Sequence, residues 1–145
     1  MSFQVGELRL LLPMESSSEL AENPEIFRLP GAPLGVVGLA NRQGRLVPTI
    51  DLATVFGSAH QTPRDWLLVC GQDDSVVGIL IDRLPKPRRF APEDMSDISG
   101  SSSPAAAYGR ATYRDIEGEW VDLDLTALMG AIASNKFLST PGEFS

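Results

Sequence analysis

The sequence is poor in the residues from which most catalytic and metal sites are built. Its 145 residues include one cysteine and one histidine. Cys70 ends an apolar run, where a thiol packs as a small hydrophobe, and a single cysteine excludes an internal disulfide. His60, the one histidine, lies in a polar connection. The sequence therefore has few residues from which a Ser–His pair, a Cys–His pair or a histidine metal cluster could be built. We therefore predict no enzyme activity, no bound metal and no cofactor.

Basic charge and long apolar runs are equally scarce. Twelve lysines and arginines against nineteen acidic residues give a net charge of -7, which argues against a nucleic-acid partner. No run approaches the ~18 apolar residues of a membrane span, and residues 1–12 lack the basic leader of a signal peptide. A hydrophobic content of 43% fits one globular domain. We expect a cytoplasmic protein that does not insert into a membrane.

Short apolar runs separated by glycine and proline are abundant, and they are typical of an all-β barrel or sandwich with short helices. Residues 16–23 are polar and predict a loop or a distorted helical turn. The apolar runs predict strands at residues 3–5, 8–12, 25–29, 66–70, 76–84, 105–113 and 119–123, a short helix at 124–132 and a frayed tail at 134–145.

Residues 36–57 form the most firmly specified stretch. Two apolar strands flank a polar turn, in which Asn41 and Gly44 are suited to the left-handed positions of a tight hairpin. Pro48 removes a donor from the second strand, so this strand should lie at a sheet edge or carry a bulge there. Asp51 is placed to cap a short helical turn, and Gly57 is placed to end it.

The same order of features recurs later in the chain. Residues 44–57 and 118–130 each contain a glycine turn, a strand with a central valine, an Asp-Leu pair and a later glycine. The glycine follows the aspartate by six residues in both copies, from Asp51 to Gly57 and from Asp124 to Gly130. Strand, cap and helix is a common sequence of features, so the similarity is either chance or a true repeat. A true repeat would make the chain two similar small barrels, divided near residues 57–64.

The charged residues supply one further candidate. Asp51, Asp82 and Asp124 each border an apolar strand, where capping is expected rather than acid–base chemistry. A cluster of cations stands out on this acidic chain, consisting of Arg83, Lys86, Arg88 and Arg89. The cluster is either a solvated edge that discourages strand pairing or a docking patch for an acidic partner. The residues alone indicate a soluble β-domain that binds another protein.

These stretches resemble the CheW-like family, the coupling proteins of bacterial chemosensory systems. The match is carried by VGLAN at 37–41, Gly44, LVP at 46–48, IDL at 50–52 and VVGILID at 76–82. The resemblance implies one CheW-like domain over 1–145, with two five-stranded SH3-like β-barrel subdomains at about 1–60 and 61–133 and a tail at 134–145. It implies no catalysis. Family members connect a chemoreceptor to the regulatory domain of a CheA-type histidine kinase in membrane-bound arrays. The cytoplasmic tip of the receptor binds in the groove between the two barrels.

The resemblance also assigns a partner-binding surface to the hairpin. The candidate residues are Val36, Gly38, Asn41, Arg42, Gln43, Gly44, Val47, Pro48 and Arg83. The family commonly has an arginine where this chain has Gln43, and Arg42 should not replace it because side chains alternate along a strand. The approach at residues 29–33 is more similar to the PilI-like branch of twitching motility than to flagellar members. The alternative hypothesis is a small-ligand-binding regulatory barrel.

Overall fold

The computed structural model describes residues 1–13, 17–57, 65–71 and 76–134. Within them, eleven β-strands and two α-helices follow one another along the chain. The strands are β1 (Ser2–Val5), β2 (Leu8–Leu11), β3 (Ser17–Glu22), β4 (Ile26–Arg28), β5 (Val36–Arg42), β6 (Arg45–Ile50), β7 (Trp66–Cys70), β8 (Val77–Ile81), β9 (Met95–Ser96), β10 (Gly109–Asp115) and β11 (Gly118–Leu123). The helices are α1 (Leu52–Val55) and α2 (Leu125–Ala133). Among these residues, no helix combines the length and the apolar character needed to cross a membrane.

The strands form two curled sheets, which confirms the all-β prediction. Sheet 1 has six strands in the order β3-β7-β8-β6-β5-β4, and sheet 2 has five in the order β1-β2-β11-β10-β9. The additional strand of sheet 1 is β3. It was predicted as a loop or a distorted helical turn, but it pairs antiparallel with β7, and Leu20 lies opposite Leu68. This polar segment has no strand periodicity of its own, so its conformation is determined by the apolar strand beside it.

The two sheets do not correspond to the predicted division at residues 60 and 61. The β7–β8 hairpin belongs to sheet 1, because β8 runs parallel to β6 with Ile79 opposite Ile50. The β1–β2 hairpin belongs to sheet 2, because β2 runs parallel to β11 with Leu10 opposite Val121. Each half of the chain therefore gives its first hairpin to the sheet of the other half.

The two similar stretches have the same local structure. Asp51 follows β6 and caps α1 by accepting from the amide of Ala53, and Asp124 follows β11 and caps α2 by accepting from Ala127. The backbone N–H of Asp51 donates to the carbonyl of Gly35 over 2.8 Å. The N–H of Asp124 donates to the carbonyl of Tyr108 over 2.7 Å. Each carbonyl belongs to the residue before the partner strand, so each aspartate fixes the base of its hairpin.

Two apolar cores lie on opposite faces of sheet 1. The larger core joins sheet 1 to sheet 2 and contains Leu68 and Cys70 of β7 together with Leu10 of β2 and Leu123 of β11. The smaller core contains Ala21, Ala40, Leu67, Val69 and Leu80. Because alternate residues of a strand point to opposite faces, β7 is buried on both sides, which explains its continuous apolar sequence.

The remaining predictions have mixed outcomes. The early hairpin, β4, β7, β8, β11 and α2 lie where they were predicted. The strand predicted at 105–113 begins only at Gly109, because residues 104–108 form a 3-10 helix capped by the Ser103 hydroxyl. The connection around His60, the turn at residues 72–75 and the tail after Ser134 lie outside the described residues.

Candidate docking surface

The β5–β6 hairpin ends in a two-residue turn. Arg42 and Arg45 form its last pair, which leaves Gln43 and Gly44 as the loop. Both loop residues are left-handed, with φ of 56° and 80°, as a type I′ turn requires. The prediction that Asn41 supplies a left-handed position is therefore wrong. Asn41 lies one pair before the end of the ladder, opposite Leu46, and its side-chain oxygen accepts from the amide of Gly44 over 3.1 Å.

The strand that contains Pro48 is internal, so the prediction of an edge strand is wrong for β6 as a whole. It lies between β8 and β5. The register with β8 begins at Thr49, opposite Gly78, so Pro48 lies in the part of β6 that pairs with β5 only. The bulge of this hairpin lies between Val36 and Gly38 rather than at the proline. The pairing of β6 with β8 therefore does not require the backbone N–H that proline lacks.

Three of the predicted site residues support the hairpin from inside. Val47 is 1% exposed, and Val36 packs against the larger core. Gly38 is buried, and a Cβ atom there would lie 2.1 Å from the carbonyl oxygen of Phe27. These positions shape the hairpin, and they offer little surface to a partner.

Arg42 is also committed within the chain. Its guanidinium forms an ion pair with the carboxylate of Glu19 on β3. The remaining predicted residues of the hairpin, Asn41, Gln43, Gly44 and Pro48, are exposed. The side chain of Gln43 projects from the tip of the hairpin in a conformation that few residues other than glycine and asparagine adopt readily.

An exposed apolar face lies beside these polar residues. In the register of the sheet, Phe27 of β4 lies opposite Leu39 of β5, which lies opposite Pro48 of β6. Directly opposed residues share a face, and Leu46 joins them two residues before Pro48. Phe27 is 51% exposed and Leu46 is 60% exposed. We call Phe27, Leu39, Leu46 and Pro48 the outer hairpin face.

The sequence interpretation missed Phe27, Leu39 and Leu46. The alternation of Leu46 and Pro48 with the buried Val47 was a usable signal, because only one phase of β6 can face the core. Phe27 had no such signal, since its place opposite Leu39 depends on a pairing across residues 29–35.

Arg83 lies away from the hairpin tip. It is exposed and follows β8, whose parallel pairing with β6 directs it toward the opposite end of sheet 1 from Gln43. The segment after it runs along β1, where the backbones of Ser2 and Lys86 exchange two hydrogen bonds of 2.7 and 2.8 Å. The structure therefore does not bring Arg83 together with the hairpin residues.

Arg88, from the same basic cluster, has a structural role. Its guanidinium pairs with Asp115 and with Glu117, and it lies 4.1 Å from the ring centre of Trp120. Burial by itself would raise the pKa of Asp115, but hydrogen bonds from Trp120, the Glu117 amide and Arg88, with the Arg88 charge, lower that pKa overall. Arg88 thus fixes the β10–β11 turn.

A groove of about 450 Å³ opens beside sheet 2 and the end of α1. Its lining includes Leu8, Arg9, Phe56, Pro104 and Glu119. The lining contains both apolar and charged side chains. Among the described residues, no group of three or more histidine, cysteine or acidic side chains is arranged to hold a metal ion.

Comparison with known proteins places the chain in a family. Residues 1–132 match the model of the CheW-like domain. Protein FrzA of Myxococcus xanthus is 30% identical over 95 residues, which are 64% of this chain and 59% of FrzA. Protein PilI of Pseudomonas aeruginosa is 29% identical over 97 residues, 66% of this chain and 54% of PilI. The match thus spans little more than half of these two relatives.

Two further proteins extend the comparison. Chemotaxis protein CheW of Thermotoga maritima is 28% identical over 103 residues, which are 70% of this chain and 68% of that protein. The scaffolding protein TtCheW of Thermoanaerobacter tengcongensis has the same fold, with a TM-score of 0.72 at 15% identity over 84% of this chain and 85% of that one. Because the family model covers residues 1–132, the chain belongs to the CheW-like domain family.

Proposed function

We propose that this chain is a non-catalytic adaptor that couples chemoreceptors to a CheA-type histidine kinase in a bacterial chemosensory system. It would act in the cytoplasm, at membrane-bound receptor arrays. The observation that carries the proposal is the outer hairpin face, an exposed apolar surface on a firmly held hairpin of a CheW-like chain. Exposed apolar patches of this kind mark protein–protein contacts on soluble domains.

We assign the regulatory domain of the kinase to the outer hairpin face. Phe27 and Leu46 would supply the apolar anchors of this contact, and Asn41, Gln43 and Gly44 would form its polar rim. Val36, Gly38, Arg42 and Val47 would act indirectly by holding the hairpin in shape. We assign the receptor tip to the groove beside Phe56, where Arg9 and Glu119 can pair with charges on a helical partner.

The relatives include proteins named for chemotaxis, together with FrzA and PilI. They favour a role in motility signalling over the small-ligand barrel. The pilus branch remains our hypothesis for the output of the system, and Arg83 remains a candidate for a second, separate contact.

The test is capture of the kinase regulatory domain from the same genome by purified variants. Leu46→Asp places a charge on the outer hairpin face and should weaken capture by about tenfold or more, since removing an apolar anchor costs ~2 kcal/mol. Leu84→Asp is the matched control, because Leu84 is also about half exposed, at 51%, but lies beyond β8. Equal capture by the folded Leu46→Asp variant and by the wild type would disprove this placement.

Gln43 is tested in the same assay. Gln43→Arg restores the residue that the family commonly has, without changing the turn. If the partner presents a carboxylate there, capture should strengthen, because a guanidinium can pair with it and an amide cannot. Unchanged capture would indicate that this system docks without that contact.

A further inference from the structure

The two similar stretches of the chain differ at one position close to their capping aspartates. Asp51 and Asp124 each fix the base of a hairpin, and in both hairpins a β-bulge follows the first pair of the ladder. The bulged residue is Arg110 in β10 and Val37 in β5. Sheet 2 therefore has a cation at the position where sheet 1 has an apolar side chain.

Arg110 shows what a cation does at this position. Its guanidinium lies 3.5 Å from Oδ1 of Asp124, although the same oxygen accepts from the amide of Ala127. A carboxylate has about four acceptor positions, so an aspartate that caps a helix can still bind a cation. In sheet 1, Val37 brings no such cation to Asp51, and the corresponding position can be filled by the ammonium group of a ligand.

Val37 and Asp51 line a cavity of about 750 Å³ at one end of sheet 1. Its apolar wall includes Val37 and Leu80, which both pack in the smaller core, and Leu29, which is 46% exposed. This volume lies in the range of small-molecule sites, and the mouths of β-barrels are a common place for such sites.

Arg28 supplies a second charge to the same cavity. It is exposed, and it forms no ion pair with any residue that the structure describes. Arg28 lies on β4 and Asp51 follows β6, so β5 lies between them and roughly 10 Å separates their backbones across the sheet. A ligand between their side chains meets a guanidinium on one side and a carboxylate on the other. The complementary ligand carries a carboxylate and an ammonium group close together.

The rim of the cavity is formed before any ligand binds. The N–H of Ala32 donates to the carbonyl of Leu29 over 3.2 Å, and the N–H of Val36 donates to the carbonyl of Pro33 over 3.0 Å. Pro30 and Pro33 each have a fixed φ. Binding therefore needs little additional ordering of this loop.

We propose that this cavity binds a free α-amino acid with an apolar side chain. The ammonium group of the ligand binds Asp51, as the corresponding arginine of sheet 2 binds its aspartate. The carboxylate of the ligand binds Arg28, and its side chain packs on Val37 and Leu80. The proposal goes beyond the coupling function and does not rest on it, so ligand binding and kinase capture are measured separately.

Amide NMR of the isotope-labelled protein, titrated with L-leucine, tests the proposal. We expect saturable shifts of the amides that line the cavity, with a Kd of about 1 mM or tighter. Isocaproate is leucine without its ammonium group, and isoamylamine is leucine without its carboxylate. Each should bind about tenfold or more weakly than leucine, because each loses one of the two ion pairs. The absence of saturable shifts up to about 20 mM leucine, or shifts confined to other surfaces, would overturn the proposal.

Variants assign the two charges. Asp51→Asn keeps the helix cap, because asparagine caps as well as aspartate. It should weaken leucine binding by about tenfold or more without weakening isocaproate binding. Val37→Arg introduces the cation found in sheet 2 and should weaken leucine binding in the same way, by occupying the ammonium position.

Arg28→Gln should weaken the binding of both leucine and isocaproate, because both carry the carboxylate. Arg89→Gln is the matched control, since it removes an exposed arginine that does not line the cavity, and it should bind leucine as the wild type does. If Val37→Arg does not fold, Asp51→Asn and Arg28→Gln still decide the matter. Leucine affinity equal to that of the wild type in either folded variant would overturn the proposal.

Discussion

Arg42 on β5 forms an ion pair with Glu19 on β3, although three strands separate β3 from β5 in the order of sheet 1. The pair is possible only because the sheet curls until its two ends approach each other. Both side chains are partly exposed, at 33% and 27%, so solvent reduces the energy of the pair. We expect Arg42→Met to lower the free energy of unfolding by about 1 kcal/mol in urea denaturation.

A double-mutant cycle separates this pair from other effects of the substitution. Arg42→Met, Glu19→Gln and the double variant should give a coupling energy of about 0.5–1 kcal/mol, which decreases in high salt. A coupling energy of zero would mean that the ion pair does not help to close sheet 1.

The local structure of the hairpin could be predicted from the sequence because its signals lie close together. Gly44, Asp51 and Gly57 each act within a few residues, through a turn, a cap and a helix end. Which residues the hairpin exposes depends on the register of β6. In the observed register Val47 is buried and Leu46 is exposed, and a register shifted by one residue would reverse the two. The motif resemblance included both residues, so it could not separate the contact residue from the core residue.

This difference gives a direct comparison of neighbouring residues. Val47→Asp places a carboxylate where 1% of the side chain is exposed, and the protein should lose about 3 kcal/mol of stability or fail to fold. Leu46→Asp should change the free energy of unfolding by about 0.5 kcal/mol or less, because Leu46 is 60% exposed. Thermal unfolding followed by circular dichroism measures both, and similar losses in the two variants would contradict the register of β6.

The exchange of hairpins between the two sheets could not be predicted from the sequence. The repeat was detectable because Asp51 and Asp124 have similar neighbours in the chain. Which sheet each hairpin joins depends on the parallel pairs Leu10–Val121 and Ile50–Ile79. The first pair joins segments far apart in the chain, and in the second pair β7 lies between the two strands in sequence. Such pairings are selected by the burial of the whole core rather than by a local pattern.

Two glycines should respond to alanine in opposite ways. At Gly38 the new Cβ would lie 2.1 Å from the carbonyl oxygen of Phe27, and a backbone atom cannot move without shifting β4. Gly38→Ala should therefore cost about 3 kcal/mol. At Gly130 in α2 there is no neighbouring atom within 4 Å of the new Cβ among the described residues, so Gly130→Ala should stabilise the protein by about 0.5–1 kcal/mol.

Urea denaturation of both variants checks this pair of expectations. Gly130→Ala also serves as the control for the addition of a methyl group, since the chemical change is the same at both sites. A tolerated alanine at residue 38 would show that β4 does not pack against β5 as closely as its register requires.

Cys70 gives the stability of the protein a defined dependence on alkaline pH. Burial in the larger core raises the pKa of its thiol from 9.0 to about 12. Between these values the unfolded chain loses the thiol proton while the folded chain keeps it, so this contribution to stability is complete below pH 9 and is lost as the pH rises toward 12. The free energy of unfolding falls by at most about 1.4 kcal/mol per pH unit in this range.

Cys70→Val keeps an apolar side chain at this position and should lose stability less steeply than the wild type between pH 9 and pH 10, as measured by urea denaturation. Equal slopes for the two proteins would mean that the thiol ionises as readily in the folded protein as in the unfolded one.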